Sequence, residues 1–206
     1  MIRIITIGDS LTAGYPGFDP RSQGDIESTY QYWAKKEFKK SSKFSDVEIL
    51  NHGLLGDSSQ GIYSRSLNIL KTIDLENVIL IIINGGGNDW DNEPIDYSKT
   101  LENLLKSAKE VTEKGIPVLL TSISPFGSPS ILKQLKSIAF ELPVLIDKEN
   151  NDKIFFYDWF NHLYDENTKS LKKKYDSGDG EHLNKAGNKY LGYSIAEKVN
   201  RIILDK

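Results

Sequence analysis

The chain alternates short, almost wholly apolar segments with longer segments whose apolar residues recur at helical spacing. The clearest apolar segment is Val78–Ile83, six consecutive aliphatic residues, and residues 2–7 are nearly as apolar. Runs of this kind are typical of strands that are buried on both faces, as in a parallel sheet. Because a helical segment separates each run from the next, the pattern predicts βαβ units in one sheet with helices on both faces.

Five strands and five helices follow from this pattern. The strands are expected at residues 2–7, 47–50, 78–83, 116–120 and 154–157. The helices are expected at residues 29–40, 60–71, 97–113, from 130 onward and at 186–204. Pro143 is expected to break or kink the fourth helix, because proline lacks the N–H that a helix interior needs. No linker or repeat interrupts the alternation, so we expect one domain over residues 1–206.

Charge and cysteine content exclude several classes of function. The net charge is −3, from 26 basic and 29 acidic residues that are well mixed, so nothing indicates the basic face of a nucleic-acid-binding protein. The chain has no cysteine, which rules out disulfides and a thiolate site. It enters the first strand directly, without a charged leader or a long apolar run, so we expect a cytoplasmic protein without a membrane span. Nothing here predicts the oligomeric state.

Unusual residues concentrate in four loops. Three of these loops follow predicted strands, and the fourth precedes the last helix; they cover residues 8–10, 51–58, 84–90 and 176–184. In an open parallel sheet, the loops at the carboxyl ends of the strands build the ligand site. Together the four loops hold a hydroxyl, carboxylates, an imidazole and several glycines. These are the groups that acyl transfer requires.

Each group has a role in such chemistry. Ser10 is the candidate nucleophile, and a histidine such as His182 can take its proton near neutral pH. Asp179 lies three residues before that histidine, where its carboxylate can fold back to orient the ring. The tetrahedral intermediate needs N–H donors, which the backbone of Ser10 and Gly56 and the side-chain amide of Asn88 could supply.

Four short motifs resemble the sequence blocks of the GDSL (SGNH) hydrolases, and they occur in that family's order. They are Gly8-Asp9-Ser10-Leu11, Gly56-Asp57-Ser58, Gly86-Gly87-Asn88-Asp89 and Asp179-Gly180-Glu181-His182. Each motif alone is weak evidence, but four in order on a βαβ pattern are strong. Two positions depart from the family, which often has an aliphatic residue at 181 and proline at 183. These positions adjoin the histidine and leave the proposed roles unchanged.

The resemblance implies a flavodoxin-like three-layer α/β/α fold with a parallel sheet of about five strands. It also implies hydrolysis of carboxylic esters through an acyl-serine, with Ser10, Asp179 and His182 as triad and Ser10, Gly56 and Asn88 as oxyanion hole. The expected substrates are small acyl esters, with thioesters and lysophospholipids as related classes. No metal or organic cofactor is expected.

Other functions fit parts of the sequence. Within the same family, the main alternative is a carbohydrate O-deacetylase. A non-catalytic carbohydrate- or lipid-binding module is a second alternative, although no triad member is missing. A flavodoxin-like sheet can also bind a flavin phosphate, and Ser10, Thr12 and Gly14 loosely allow this, but that function leaves Asn88 and His182 without a role.

Several of these residues also have structural interpretations. Ser10 could cap a helix, and Asn88 could be a turn residue. His52 and His162 compete with His182 for the role of base.

Three loop carboxylates, those of Asp9, Asp57 and Asp89, are expected to bind loop amides rather than a metal.

Four apolar or aromatic residues adjoin the motifs and could line a substrate pocket. They are Tyr15, Phe18, Trp90 and Leu183. Ordinary loop packing explains them equally well. The loop of residues 12–28 is expected to cover the nucleophile, and residues 124–127 form a second candidate rim.

Overall fold

A computed structural model describes residues 1–91 and 97–204 of the chain. Within these ranges the main sheet has five parallel strands, in the order β2-β1-β3-β4-β5. The strands are β1 (Ile2–Gly8), β2 (Val47–Gly53), β3 (Val78–Ile83), β4 (Val118–Thr121) and β5 (Ile154–Tyr157). This is the strand order of flavodoxin-like folds, so the predicted α/β fold class is confirmed.

Long helices cover both faces of the sheet. They are α1 (Tyr30–Phe38), α2 (Ser59–Thr72), α3 (Tyr97–Glu113), α4 (Pro129–Lys148) and α5 (Lys185–Leu204). Side chains alternate across the sheet: Ile5 and Ile7 of β1 face the core under α2, α3 and α4, whereas Ile4 faces the core under α1 and α5. This alternation explains why the strands read as continuous apolar runs. Among the described helices, none is long and apolar enough to cross a membrane.

Two of the differences between the observed and the predicted elements have a clear physical cause. No break occurs at Pro143, which lies inside the continuous helix α4. The helix continues because Leu135, Ile138 and Leu142 are fully buried against the sheet, and this burial outweighs one lost backbone hydrogen bond. Strand β2 extends three residues beyond the predicted end, because its ladder with β1 continues to the pair Gly8 and Gly53.

Register and two glycines bring the first loops together. Gly8 and Gly53 end neighbouring strands side by side, and a short helix, Ser10–Ala13, packs directly on them. A Cβ on Gly53 would lie 2.1 Å from the backbone nitrogen of Ala13, and a Cβ on Gly8 would lie 2.2 Å from Oγ1 of Thr12. Only glycine therefore lets this helix sit against the strand ends.

Candidate active site

Ser10 begins the short helix that follows β1. The residue that caps this helix is Asp9, whose Oδ1 accepts a hydrogen bond from the backbone N–H of Leu11 at 3.0 Å. Gly14 ends the helix in the left-handed conformation, with φ of 106°. The Ser10 hydroxyl is therefore not engaged as the cap and is available for another partner.

That partner is His182. Its Nε2 lies 2.9 Å from the Ser10 Oγ, and its Nδ1 lies 2.8 Å from Oδ2 of Asp179. An ionised carboxylate only accepts hydrogen bonds, so Nδ1 carries the proton that is donated to Asp179. Nε2 is then left with a lone pair, and the Ser10 hydroxyl donates to it. This is the arrangement in which an imidazole can accept a serine proton.

Asp179 is held by its own segment of backbone. Its Oδ1 accepts hydrogen bonds from the N–H groups of His182, at 2.8 Å, and Glu181, at 3.0 Å. Burial acts to raise the pKa of the Asp179 carboxyl, but these N–H groups and the imidazole together hold the pKa well below its usual value. The carboxylate is therefore ionised at neutral pH and fixed in orientation.

A second aspartate shapes the loop that carries this pair. Oδ1 of Asp176 accepts hydrogen bonds from the N–H groups of Gly178 and Gly180, which both have positive φ. The N–H of Ser177 donates to the carbonyl of His182 at 2.9 Å and closes the loop. Asp176 is not among the site residues predicted from the sequence. Its signal is an aspartate two residues before a glycine, which is typical of a side chain that binds turn amides.

Two of the three candidate oxyanion donors, Gly56 and Asn88, lie on loops that are connected by a hydrogen bond. Gly56 lies in a turn that is closed by a hydrogen bond from the N–H of Asp57 to the carbonyl of Leu54. Its φ of 72° is a conformation that favours glycine. Nδ2 of Asn88 donates to the backbone carbonyl of Asp57 at 3.0 Å, so Asn88 is fixed beside the residue that follows Gly56. Within the described part of the chain, the backbone N–H groups of Ser10 and Gly56 donate to no protein acceptor.

The loop carboxylates have different environments. Oδ1 of Asp89 accepts from the backbone N–H of Ser59 at 2.8 Å, and its Oδ2 accepts from Oγ1 of Thr100 at 2.6 Å. Asp57 pairs with Arg65. Burial raises the pKa of the Asp9 carboxyl to about 7, with the nearby acidic side chains acting in the same direction. Across residues 1–91 and 97–204, no three potential metal ligands of the His, Asp or Glu type cluster together.

The other two histidines contact different groups. Nδ1 of His162 lies 2.8 Å from the hydroxyl of Tyr190, and its ring stacks on Tyr157. His52 is in the edge strand β2, where burial and then the Arg65 cation hold the pKa of its imidazole below the usual value. Of the three histidines, His182 is the one that is hydrogen-bonded to Ser10.

The four candidate pocket residues are dispersed. Tyr15 is 40% exposed and contacts the His182 ring edge to face. Phe18 is buried in a small hairpin with Gly24, within the segment that was expected to cover the nucleophile. Trp90 and Leu183 are buried in the two different cores, on opposite faces of the sheet. Tyr15 is thus the member of this group that meets the Ser10–His182 pair.

Arg65, which was also not predicted from the sequence, lies in α2 and binds groups at the ends of β1 and β2 and on the loop after β2. Nothing in the helical pattern marks this arginine, because a basic residue outside the apolar stripe is ordinary on an amphipathic helix. The usable signal is weak: it is an arginine that follows a loop aspartate, Asp57, at a distance of two helical turns.

Comparison with known proteins gives one family match. The family described as GDSL-like Lipase/Acylhydrolase matches residues 4–195 of the chain. A search of proteins with curated descriptions finds no match.

Several solved structures share the fold. A member of the lipolytic protein G-D-S-L family from Veillonella parvula is 19% identical, with a TM-score of 0.74, over 97% of this chain and 98% of that one. The lipase/acylhydrolase from Enterococcus faecalis is 20% identical, with a TM-score of 0.71, over 97% and 95%. An acetyl xylan esterase, AlAXEase, is 19% identical, with a TM-score of 0.74, over 96% and 100%. At these identities the likeness concerns the fold.

Proposed function

The chain belongs to the GDSL-like lipase/acylhydrolase family, and from that premise we propose that it hydrolyses carboxylic esters through an acyl-enzyme on Ser10. The observation that carries the proposal is the continuous hydrogen-bonded line from Ser10 through His182 to Asp179, with distances of 2.9 and 2.8 Å. A histidine with a purely structural role does not require a serine hydroxyl at one ring nitrogen and an ionised carboxylate at the other, whereas a catalytic base does.

The first half of the reaction acylates the serine. The Ser10 Oγ attacks the ester carbonyl carbon while its proton passes to Nε2 of His182, and the carbonyl oxygen becomes an oxyanion. Asp179 stabilises the imidazolium that forms. When the intermediate collapses, the bond to the leaving alcohol breaks, and the imidazolium gives its proton to the departing oxygen. The products of this half are an alcohol and an acyl-serine.

The second half uses water in the same way. The imidazole takes a proton from water, the resulting hydroxide attacks the acyl carbon, and the intermediate collapses with return of a proton to the Ser10 Oγ. In both halves the oxyanion needs donors that are already oriented. The N–H groups of Ser10 and Gly56 and the second side-chain N–H of Asn88 supply them in this proposal.

The substrates that we propose are esters with a short acyl group. Three of the cavities on the surface of residues 1–91 and 97–204, of 490 to 560 Å³, lie away from Ser10, Asn88 and His182. A long acyl chain needs a deep apolar pocket beside the nucleophile. Tyr15, which is 40% exposed and lies against the His182 ring, borders the position that the acyl group would take, and this supports a short acyl group better.

The test is a panel of nitrophenyl esters of increasing acyl length, set beside acetylated sugars, with Ser10→Ala as the control. Hydrolysis that is fastest for short acyl groups and is lost in the control supports the proposal. An organophosphonate ester should stop the reaction and add its mass at Ser10. Modification of Ser58 or Ser124 instead would contradict the assignment, and faster release of acetate from sugars than from nitrophenyl esters would favour the deacetylase.

The same enzyme should need no metal, because the imidazole generates its nucleophile and N–H donors stabilise its oxyanion. Activity should therefore survive exhaustive chelation. Loss of activity, followed by recovery with one divalent ion, would make the carboxylates of Asp9, Asp57 and Asp89 candidate ligands after all.

A further inference from the structure

Arg65 binds the ends of two strands and the loop that follows the second. Its Nη2 donates to the carbonyl of Gly8 at 2.8 Å, and its Nη1 donates to the carbonyl of His52 at 2.7 Å. Its Nε donates to Oδ2 of Asp57 at 2.6 Å. One side chain in α2 therefore connects the last residue of β1, the end of β2 and the loop after β2.

Two of these acceptors are close in sequence to a proposed oxyanion donor. Gly8 lies two residues before Ser10, and Asp57 directly follows Gly56. The backbone carbonyl of Asp57 in turn accepts the hydrogen bond of the Asn88 side chain. We propose that Arg65 is a positioning residue that holds the three oxyanion donors in a fixed mutual geometry, an inference that rests on the proposed function.

The backbone around Arg65 is built for this connection. The carbonyl of Gly8 also accepts the N–H of Leu54 at 2.9 Å, so it joins β1 to the turn that contains Gly56. On the helix side, Gly61 leaves space for the Asp57 carboxylate, because a Cβ there would lie 1.9 Å from Oδ1 of Asp57. The carboxylate therefore lies directly against α2, within reach of the guanidinium.

Electrostatics makes the pairing hard to replace. The side chain of Asp57 is only 9% exposed, and that of Arg65 is 26% exposed. Burial raises the pKa of the Asp57 carboxyl, while the cation and hydrogen bond of Arg65 act to lower it. Without the arginine, the nearly buried carboxylate of Asp57 would have to become protonated or move towards water. Movement of the side chain would also displace the backbone next to Gly56.

The shape of the guanidinium is as important as its charge. Three nitrogens in one rigid plane reach three acceptors that belong to different segments of the chain. The ammonium of lysine is a single point on a flexible stem and cannot reproduce this planar fork. Arg65→Lys therefore keeps the charge and removes the geometry.

The chain offers a matched control in Arg3. Its guanidinium also binds one aspartate and two backbone carbonyls, those of Asp74 and Glu76, at the amino end of β1, away from the loops. We would compare Arg65→Lys with Arg3→Lys in kcat and KM for a short nitrophenyl ester. We would also measure thermal stability and inhibition by a short alkylboronic acid, which forms a tetrahedral adduct with the serine oxygen.

Arg65→Lys should lower kcat by about 10- to 100-fold, the range expected when catalytic groups shift slightly, with a change in KM of less than about threefold. Its affinity for the boronic acid should fall in parallel with kcat. Arg3→Lys should lose comparable thermal stability and keep kcat. If Arg65→Lys folds poorly, Asp57→Asn is the second variant. It retains a hydrogen-bond acceptor and loses the charge, so it should also lower kcat, by a smaller factor.

Two outcomes overturn the inference and can be told apart. If the wild-type protein shows Ser10-dependent hydrolysis and Arg65→Lys or Asp57→Asn lowers kcat no more than Arg3→Lys does, Arg65 is only a stabilising residue. If the wild-type protein hydrolyses no ester and the phosphonate does not modify Ser10, the proposed function fails, and this inference fails with it.

Discussion

The ring of Tyr15 meets the imidazole of His182 edge to face, with the ring centroids 4.8 Å apart and an interplanar angle of 71°. Tyr15 directly follows the segment that carries Ser10, whereas His182 comes from the loop before α5. The contact therefore joins the two chain segments that must stay together for the Ser10–His182 hydrogen bond to form. Since Tyr15 is partly exposed, it also borders the space that a substrate would enter.

Tyr15→Ala should lower kcat about two- to tenfold, because an aromatic pair of this geometry contributes about 0.5–1.5 kcal/mol. Without the ring, the imidazole has more freedom to turn away from Ser10. Tyr15→Phe keeps the ring and should behave like the wild-type enzyme. Steady-state kinetics on a short ester measures both variants. A Phe variant as slow as the Ala variant would mean that the hydroxyl matters and not the ring contact.

The fold was predictable because strands that are buried on both faces have almost wholly apolar sequences. Strands such as Val78–Ile83 have no polar face, and the helices between them have one. The end of β2 was not predictable from this pattern, since Asn51 and His52 at the sheet edge are polar yet continue the ladder. The uninterrupted helix at Pro143 was also hidden, because only tertiary packing stabilises it.

Local spacing was enough to propose the hydrogen bond between Asp179 and His182, because three residues with a glycine between them can fold back on themselves. Contacts between residues that are far apart in the sequence could not be predicted from spacing. The Tyr15–His182 contact and the guanidinium of Arg65 depend on how the sheet and α2 are assembled. Sequence alone shows which residue types are present, but it does not show which loops they connect.

Replacing the three residues of the proposed triad should give a ranked loss of activity. Ser10→Ala and His182→Ala should each reduce kcat to near background, since a nucleophile or a base has no substitute. Asp179→Asn should be less damaging, because the backbone of its own loop still holds the histidine segment in place. Rates per folded molecule on one ester give the ranking. Near-normal turnover in His182→Ala, with loss of turnover in His52→Ala or His162→Ala, would identify a different base.

Asn88→Ala should reduce kcat on the order of 10²–10³-fold, the usual loss for one oxyanion donor, with a small effect on KM. Asn88→Asp should be at least as damaging, because at neutral pH it would place a carboxylate where negative charge develops. The measurement is turnover per folded molecule, with the folded fraction determined separately.

A purely structural role for Asn88 predicts a different result. Its hydrogen bond to the Asp57 carbonyl would then be its only contribution, and losing it would remove about 1 kcal/mol of stability. The folded molecules would turn over nearly as fast as the wild type. A fall in kcat of less than about fivefold, well below the oxyanion-donor range, would assign Asn88 to the turn.

Asp9 should make the protein less stable as pH rises towards neutrality. Asp9 is only 2% exposed, and burial raises the pKa of its carboxyl from 3.8 to about 7. Between these two values the unfolded chain releases the proton while the native state keeps it. The free energy of unfolding therefore falls as pH increases, until the native carboxyl also ionises at about pH 7. The total loss is at most about 4 kcal/mol, at about 1.4 kcal/mol per pKa unit.

Asp9→Asn removes this titration and keeps the shape. The amide oxygen of asparagine can still accept the N–H of Leu11 that Asp9 now binds, so the short helix retains its cap. In urea unfolding, the variant should match the wild type near about pH 4 and become progressively more stable than it up to about pH 8. Asp152→Asn makes the same chemical replacement on an exposed side chain and should show no such divergence. A stability difference that is independent of pH would mean that Asp9 is ionised in the native state throughout this range, held by partners that outweigh its burial.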